Sequence, residues 1–206
     1  KKIMSKKVFI TGITGMVGSH LLDYLYKKTN WDIYGLIRWR SPLENINSHI
    51  KNINLKKRVF LEYGDIKEAH NLDLIIKKIK PDYVFHLAAQ SYPKTSFDMP
   101  ADTYETNTIG TSNLLESLRR YKKNAIIHVC SSSEVFGRVP KDKIPINEDC
   151  SFHPASPYAI SKTGTDLIAR FYAEAYKMKI LTTRMFTHTG PRRGDVFAES
   201  SFAKQI

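Results

Sequence analysis

The sequence predicts a doubly wound α/β fold on a parallel sheet. Three observations carry this. Six short apolar runs lie along the chain, segments with helically spaced apolar residues alternate with them, and a glycine-rich turn joins the first run to the first helical segment. Strands that are apolar throughout, with no polar alternation, are those that crossover helices bury on both faces. Val8-Phe9-Ile10 is the first strand, ending in Thr11-Gly12, and Val17, Leu21, Leu22 and Leu25 mark the helix after it. Asp32 to Arg38 is the second strand, followed after Pro42 by a short helix with Leu43, Ile46, Ile50 and Ile53. Arg58 to Tyr63 is the third, closed by Gly64-Asp65, and Leu72, Ile75, Ile76 and Ile79 form a helix that Pro81 stops. Tyr83 to Ala88 is the fourth strand. Thr103 to Tyr121 reads as one long helix burying Leu114, Leu115 and Leu118, and Ala125 to Cys130 as the fifth strand. After a loop holding Pro140, Pro145 and Pro154, Pro157 to Lys177 is a helix and Ile180 to Phe186 the sixth strand. Ser200 to Ile206 resembles the opening turns of a helix without a stop signal, so the chain is expected to continue beyond it.

At 206 residues, 42% apolar and 25% charged, the chain suits one well-cored domain. No apolar run approaches the roughly 20 residues of a membrane span, and Lys1 to Lys7 leads straight into a strand, so a cytoplasmic protein is expected. The two cysteines, Cys130 and Cys150, match neither a metal site nor a redox pair, which favours a reducing compartment and no metal. The formal charge of +12 raises nucleic acid, a membrane surface or a phosphorylated small molecule as partners. Placement decides among them. Lys27, Lys28, Lys77, Lys78, Lys80, Arg119, Arg120, Lys122, Lys123, Lys177 and Lys179 fall at helix C-termini, where cations complement the helix dipole, and Lys6, Lys7, Lys56, Lys57 and Arg58 just precede strands. All are expected at the end of the sheet opposite the ligand crevice. Arg38, Arg40, Arg192 and Arg193 instead follow strand carboxyl ends, where the phosphates of a small nucleotide would lie, and neither nucleic acid nor membrane is expected.

Gly12, Gly15 and Gly18 stand three apart between the first strand and first helix. Gly12 permits the tight turn, Gly15 lets backbone approach a pyrophosphate, and Gly18 lets helix pack on strand, so the turn predicts a dinucleotide site. At the end of the second strand, Arg38-Trp39-Arg40 offers two guanidinium groups where an NAD site would place an acid, which favours NADP(H). Asp65 is placed to accept from an adenine amino group, and Leu87-Ala88-Ala89 supplies small side chains beside the cofactor. Tyr158 and Lys162, four apart after Pro157, share a helix face, where an ammonium beside the phenol is expected to lower its pKa and can hold a nicotinamide ribose. Ser131-Ser132-Ser133-Glu134 ends the fifth strand, so hydroxyls and one carboxylate converge with Tyr158.

These segments, with Leu87 to Ser91 and Thr183 to Gly194, resemble the extended short-chain dehydrogenase/reductases, and within them the GDP-mannose 4,6-dehydratases and relatives acting on GDP-linked sugars. The resemblance implies a Rossmann domain over residues 1–190 and, from 191 to 206, the start of a substrate-binding region that is largely absent from this chain. It implies Ser132 in place of a catalytic Thr, Glu134 as acid/base, and Tyr158 and Lys162 as the hydride-transfer pair. NADP contacts would come from Gly12, Ile13, Thr14, Gly15, Met16, Val17, Gly18, Arg38, Asp65, Ile66, Leu87, Ala88, Ala89, Gln90, Ser91, Tyr158, Lys162, His188 and Arg193. The implied substrate is a GDP-sugar, and a homo-oligomer, dimer or tetramer, is expected. Thr187 stands where the family has Asn, Asp102 where it has a cofactor-contacting Tyr, with Tyr104 nearby, and Gly190 where it has Ser. The resulting His-Thr-Gly-Pro is similar to the GDP-4-keto-6-deoxymannose reductases. A reductase or sugar-nucleotide epimerase is therefore the alternative, and a non-catalytic Rossmann module binding nucleotide or RNA is the second.

Overall fold

The computed structural model describes residues 5–206. Lys1 to Met4, at the start of the basic stretch considered above, lie outside them. Six parallel strands, β1 (Lys7–Thr11), β2 (Asp32–Ile37), β3 (Val59–Tyr63), β4 (Tyr83–His86), β5 (Ile126–Cys130) and β6 (Lys179–Thr183), form one sheet in the order β3-β2-β1-β4-β5-β6. This is the doubly wound order, and strand order reverses between β1 and β4, where a crevice opens at the strand carboxyl ends. Helix α1 (Met16–Lys28), a 3₁₀ turn at Glu44–His49 and α2 (Ile50–Asn54) accompany the β1–β3 half. There Val8, Ile10, Ile13, Leu22, Leu25, Ile33 and Ile46 share one core cluster. On the other face α3 (Ala69–Ile79), α6 (Gly110–Tyr121) and α7 (Pro157–Tyr176) bury Phe9, Val84, Ile127 and Val129 under Leu72, Ile76, Leu114 and Leu118.

The expected helix from Thr103 to Tyr121 is broken differently. The chain forms α4 (Pro93–Asp98), α5 (Pro100–Tyr104), a π turn at Glu105–Ile109, and then α6. Prolines at the first positions of α4 and α5 suit helix starts, and Pro100 forces Met99 out of the helical region, to φ −133° and ψ 63°. The sixth strand is also shorter than expected, because its one partner, β5, ends at Cys130 opposite Thr183. Residues 184–197 then run without regular structure to α8 (Ala198–Ala203).

Three of the basic side chains make contacts at helix ends and strand ends. Arg58 donates from its guanidinium to the carbonyls of Tyr26, Thr29 and Trp31 at the end of α1, while Lys78 pairs with Glu62 at 2.8 Å and Lys122 with Asp82 at 2.9 Å. Among the described residues, no helix is long and apolar enough to cross a membrane, and no group of three or more His, Cys, Asp or Glu could hold a metal ion.

Candidate active site

The glycine turn leaves β1 at Thr11 and enters α1 at Met16. Gly12 has φ +73°, and a β-carbon there would come 2.8 Å from the Ala88 nitrogen, so both backbone conformation and the approach of β4 require glycine. A β-carbon on Gly18 would collide with the Gly12 carbonyl. The N-terminus of α1 has no side-chain cap and no acidic residue in its first turn, which leaves its N–H groups to an anion. Gly15 is exposed, whereas the Ile13 side chain is wholly buried in the core, leaving only its backbone for a ligand.

The ends of β2 and β3 form an open cleft of about 630 Å³ lined by Arg38, Trp39, Arg40, Tyr63, Gly64 and Asp65. The Arg38 N–H donates to Ser41 Oγ at 2.9 Å and the Ser41 N–H to the Arg38 carbonyl at 3.0 Å, closing the loop that presents the two arginines. Asp65 Oδ1 accepts from the Lys67 N–H at 3.0 Å. Ile66 is buried against α3 and α6. Leu87, Ala88, Ala89 and Gln90 are half-buried and Ser91 exposed along the exit of β4. A helix N-terminus free of acid and, at the neighbouring strand ends, a cleft with two guanidinium groups and a carboxylate suit a phosphorylated dinucleotide.

At the end of β5, Ser132 Oγ accepts from the Glu134 N–H at 3.2 Å and caps a 3₁₀ turn, Ser133–Val135. Glu134 is exposed and Tyr158 buried. Burial raises the Tyr158 pKa above the ordinary phenol value, the hydrogen bond to Ser132 works against that rise, and the Glu134 charge adds to it. The expected effect of Lys162 on this phenol is not what the structure has. Lys162 is buried, which lowers its pKa, and its ammonium donates to the Cys130 carbonyl at 2.6 Å, so the charge is directed at the end of β5. Ser132, Glu134, Tyr158 and Lys162 are nevertheless brought together at one strand end.

The later loop is arranged otherwise than expected. Arg192 pairs with Asp23 at 2.7 Å, the Arg193 guanidinium donates to the His188 carbonyl and lies over the Phe197 ring, and the exposed His188 bonds the Phe186 carbonyl at 3.0 Å. These side chains engage one another and α1 because the loop docks there. Asn45 bonds both the Thr14 carbonyl, at 2.9 Å, and the Arg192 carbonyl, at 3.2 Å, so the loop backbone does lie beside the glycine turn. Asp102 is held by Lys67 at 2.9 Å.

Two features escaped the sequence. Asn107, in the π turn, bonds the Gln90 backbone at both N–H (2.8 Å) and carbonyl (3.0 Å), and Ser161 Oγ at 2.9 Å, tying the exit of β4 to α7. Arg184 grips buried Asp166 at 2.8 Å, donates to the Glu148 carbonyl at 2.8 Å, and lies over Phe152 and Phe136, two residues beyond Glu134. A π turn has no apolar period of its own, and an ion pair across 18 residues leaves no local spacing.

Residues 9–206 match the family model described as GDP-mannose 4,6 dehydratase. The sequence is similar to the GDP-mannose 4,6 dehydratase of Drosophila melanogaster, 35% identical over 207 residues, covering 98% of this chain and 52% of that protein. The fold is similar to that of DesIV, a dTDP-glucose 4,6-dehydratase from Streptomyces venezuelae crystallised with NAD (TM-score 0.84, 25% identity, 97% of this chain and 61% of that one). It is also similar to RMD from Pseudomonas aeruginosa complexed with NADPH (TM-score 0.78, 30% identity, 98% and 61%). The chain spans about half the length of the curated relatives it matches.

Proposed function

The chain belongs to the GDP-mannose 4,6 dehydratase family, and from that premise we propose that it carries the cofactor and catalytic half of an NADP-dependent GDP-sugar 4,6-dehydratase, a lyase. The observation that carries this reading is the convergence of Ser132, Glu134, Tyr158 and Lys162 at the end of β5, next to the crevice where strand order reverses. A bound nicotinamide would supply reversible hydride storage, accepting from one sugar carbon and returning to another. The residues supply the proton chemistry. Once ionised, Tyr158 takes the proton of the C4 hydroxyl while Ser132 holds that oxygen. Glu134, exposed and beside Tyr158, takes the C5 proton and protonates the departing C6 hydroxyl, which leaves as water; as the stored hydride would return to C6, the proton held by Tyr158 goes to C5, giving a 4-keto-6-deoxy sugar. Lys162 uses one of its three donors on Cys130, leaving two for a ribose.

Arg38 and Arg40 support NADP over NAD, since their cleft offers cationic donors where a 2′-phosphate would sit. The Gly12 to Gly18 turn would hold the pyrophosphate and Asp65 the adenine amino group. His188 and Arg193 would join the site through the loop that Asn45 pins beside the turn. Two free cysteines fit a reducing cytoplasm.

The test is incubation with GDP-mannose and trace NADP⁺, with products read by mass spectrometry. Loss of one water without net NADPH consumption supports the dehydratase. Stoichiometric NADPH oxidation on a 4-keto substrate would establish a reductase instead.

A further inference from the structure

His86, the last residue of β4, is wholly buried, yet both ring nitrogens are bonded, Nδ1 to Thr11 Oγ1 at 2.8 Å and Nε2 to Thr111 Oγ1 at 2.9 Å. The direction of each bond follows from what the hydroxyls already do. Thr11 Oγ1 accepts from the Ala88 N–H and from the Leu87 N–H, which the Thr11 carbonyl shares at 3.2 Å, both Oγ1 contacts being 3.1 Å. Its two lone pairs are thereby used, and its hydrogen goes to Nδ1. A neutral ring then carries its proton on Nε2 and donates to Thr111, whose own hydroxyl donates to the Asn107 carbonyl at 2.6 Å. Burial, with the charges of Lys162 and His128 added, pushes the His86 pKa down to about 3, so the ring is neutral near pH 7.

Beyond Asn107 the chain runs on. The Asn107 amide donates to Ser161 Oγ at 2.9 Å, and the Ser161 hydroxyl donates to the Tyr158 carbonyl at 2.7 Å. One end of this relay is therefore the glycine turn and the other is the first turn of α7. The chemistry above makes no use of the imidazole, and burying its two polar nitrogens carries a desolvation cost that an apolar side chain would not. An imidazole is rigid and presents an acceptor at one end and a donor at the other, which is what the gap between Thr11 and Thr111 requires.

We propose that His86 is a positioning residue that holds the glycine turn and the catalytic helix in register, its Nδ1 half serving cofactor binding and its Nε2 half serving Tyr158. The proposal rests on the dehydratase reading, which gives each end of the relay its role.

The experiment is a set of three variants of the full-length protein, each measured for NADPH affinity by calorimetry, for kcat at saturating NADPH, and for Tm. His86→Leu lowers both affinity and kcat, each by roughly 10- to 100-fold, as small misplacements do. His86→Asn can set an acceptor near Thr11 and restores affinity while kcat stays low. His86→Gln reaches Thr111 and restores kcat while affinity stays low. If the Leu variant fails to fold, the Asn and Gln pair carries the test. Variants that lose Tm but keep wild-type affinity and kcat reduce His86 to a core group and overturn the proposal, as does an Asn and Gln pair that shows no split. Nitrogen NMR of the wild-type ring gives an independent reading, in which a proton on Nε2 supports the relay and one on Nδ1 overturns it. A wild-type protein that neither binds NADPH nor turns over GDP-mannose fails the dehydratase reading itself, a result distinct from any pattern among the variants.

Discussion

One row of residues crosses the sheet from its closed half to its open half. Ile10, His128 and Leu181 sit in register through Phe85, with their side chains on the α1 face. Ile10 is fully buried, Phe85 and His128 are half-buried, and Leu181 is 62% exposed. The difference is in cover, since α1, the 3₁₀ turn and α2 shield β1 to β3, while no helix among the described residues packs on this face of β6. The β1–β3 half is thus a finished core with a glycine turn fitted to it. The β6 half is held chiefly by its other face and by polar clasps such as Arg184 on Asp166.

Breaking the closed half should have the largest effect. Gly12→Ala combines a left-handed backbone with a collision at Ala88 and should cost roughly 2–5 kcal/mol, read by denaturant unfolding, along with NADPH binding. A comparable loss is expected from Asp166→Asn, which leaves the largely buried Arg184 without its counter-charge. It should destabilise by about 3 kcal/mol and, through Phe136, lower kcat while NADPH affinity holds. An unchanged kcat would mean that the clasp serves the open half alone.

The buried relay adds a pH signature to the closed half. The unfolded chain protonates His86 near 6.5 and the folded protein near 3, so the unfolded state binds more protons between these values. The stability due to His86 is complete above about pH 6.5 and falls as pH drops toward 3. His86→Leu should flatten that slope in unfolding curves taken from pH 7 to 4. The smallest effect belongs to the open row, where Leu181→Lys should change stability by no more than about 0.5 kcal/mol, while Ile10→Lys would prevent folding. A large loss at Leu181 would show that this face is covered in solution.

The contrast also explains what could be read in advance. Uniformly apolar strands and helical spacing made the sheet and its parallel sense legible, because burial on both faces leaves an unbroken apolar mark. The π turn at Asn107 and the early end of β6 were not legible, because each depends on a partner distant in sequence. The arginines divide the same way. Arg38 and Arg40 line the expected cleft, whereas Arg192 and Arg193 are engaged by Asp23 and His188, contacts that only the docking of the loop on α1 creates.

The sequence by itself determined the doubly wound class, the glycine turn and the identity of the residues at the β5 tip, since these follow from local pattern and residue chemistry. Tertiary structure decided how those groups are charged and aimed. Burial raised Tyr158 and lowered Lys162, and the nearby Cys130 carbonyl took the ammonium that spacing alone had assigned to the phenol. It also decided that His86 would stay neutral between two threonines, because desolvation and hydrogen-bond direction exist only once β1, β4 and α6 have come together.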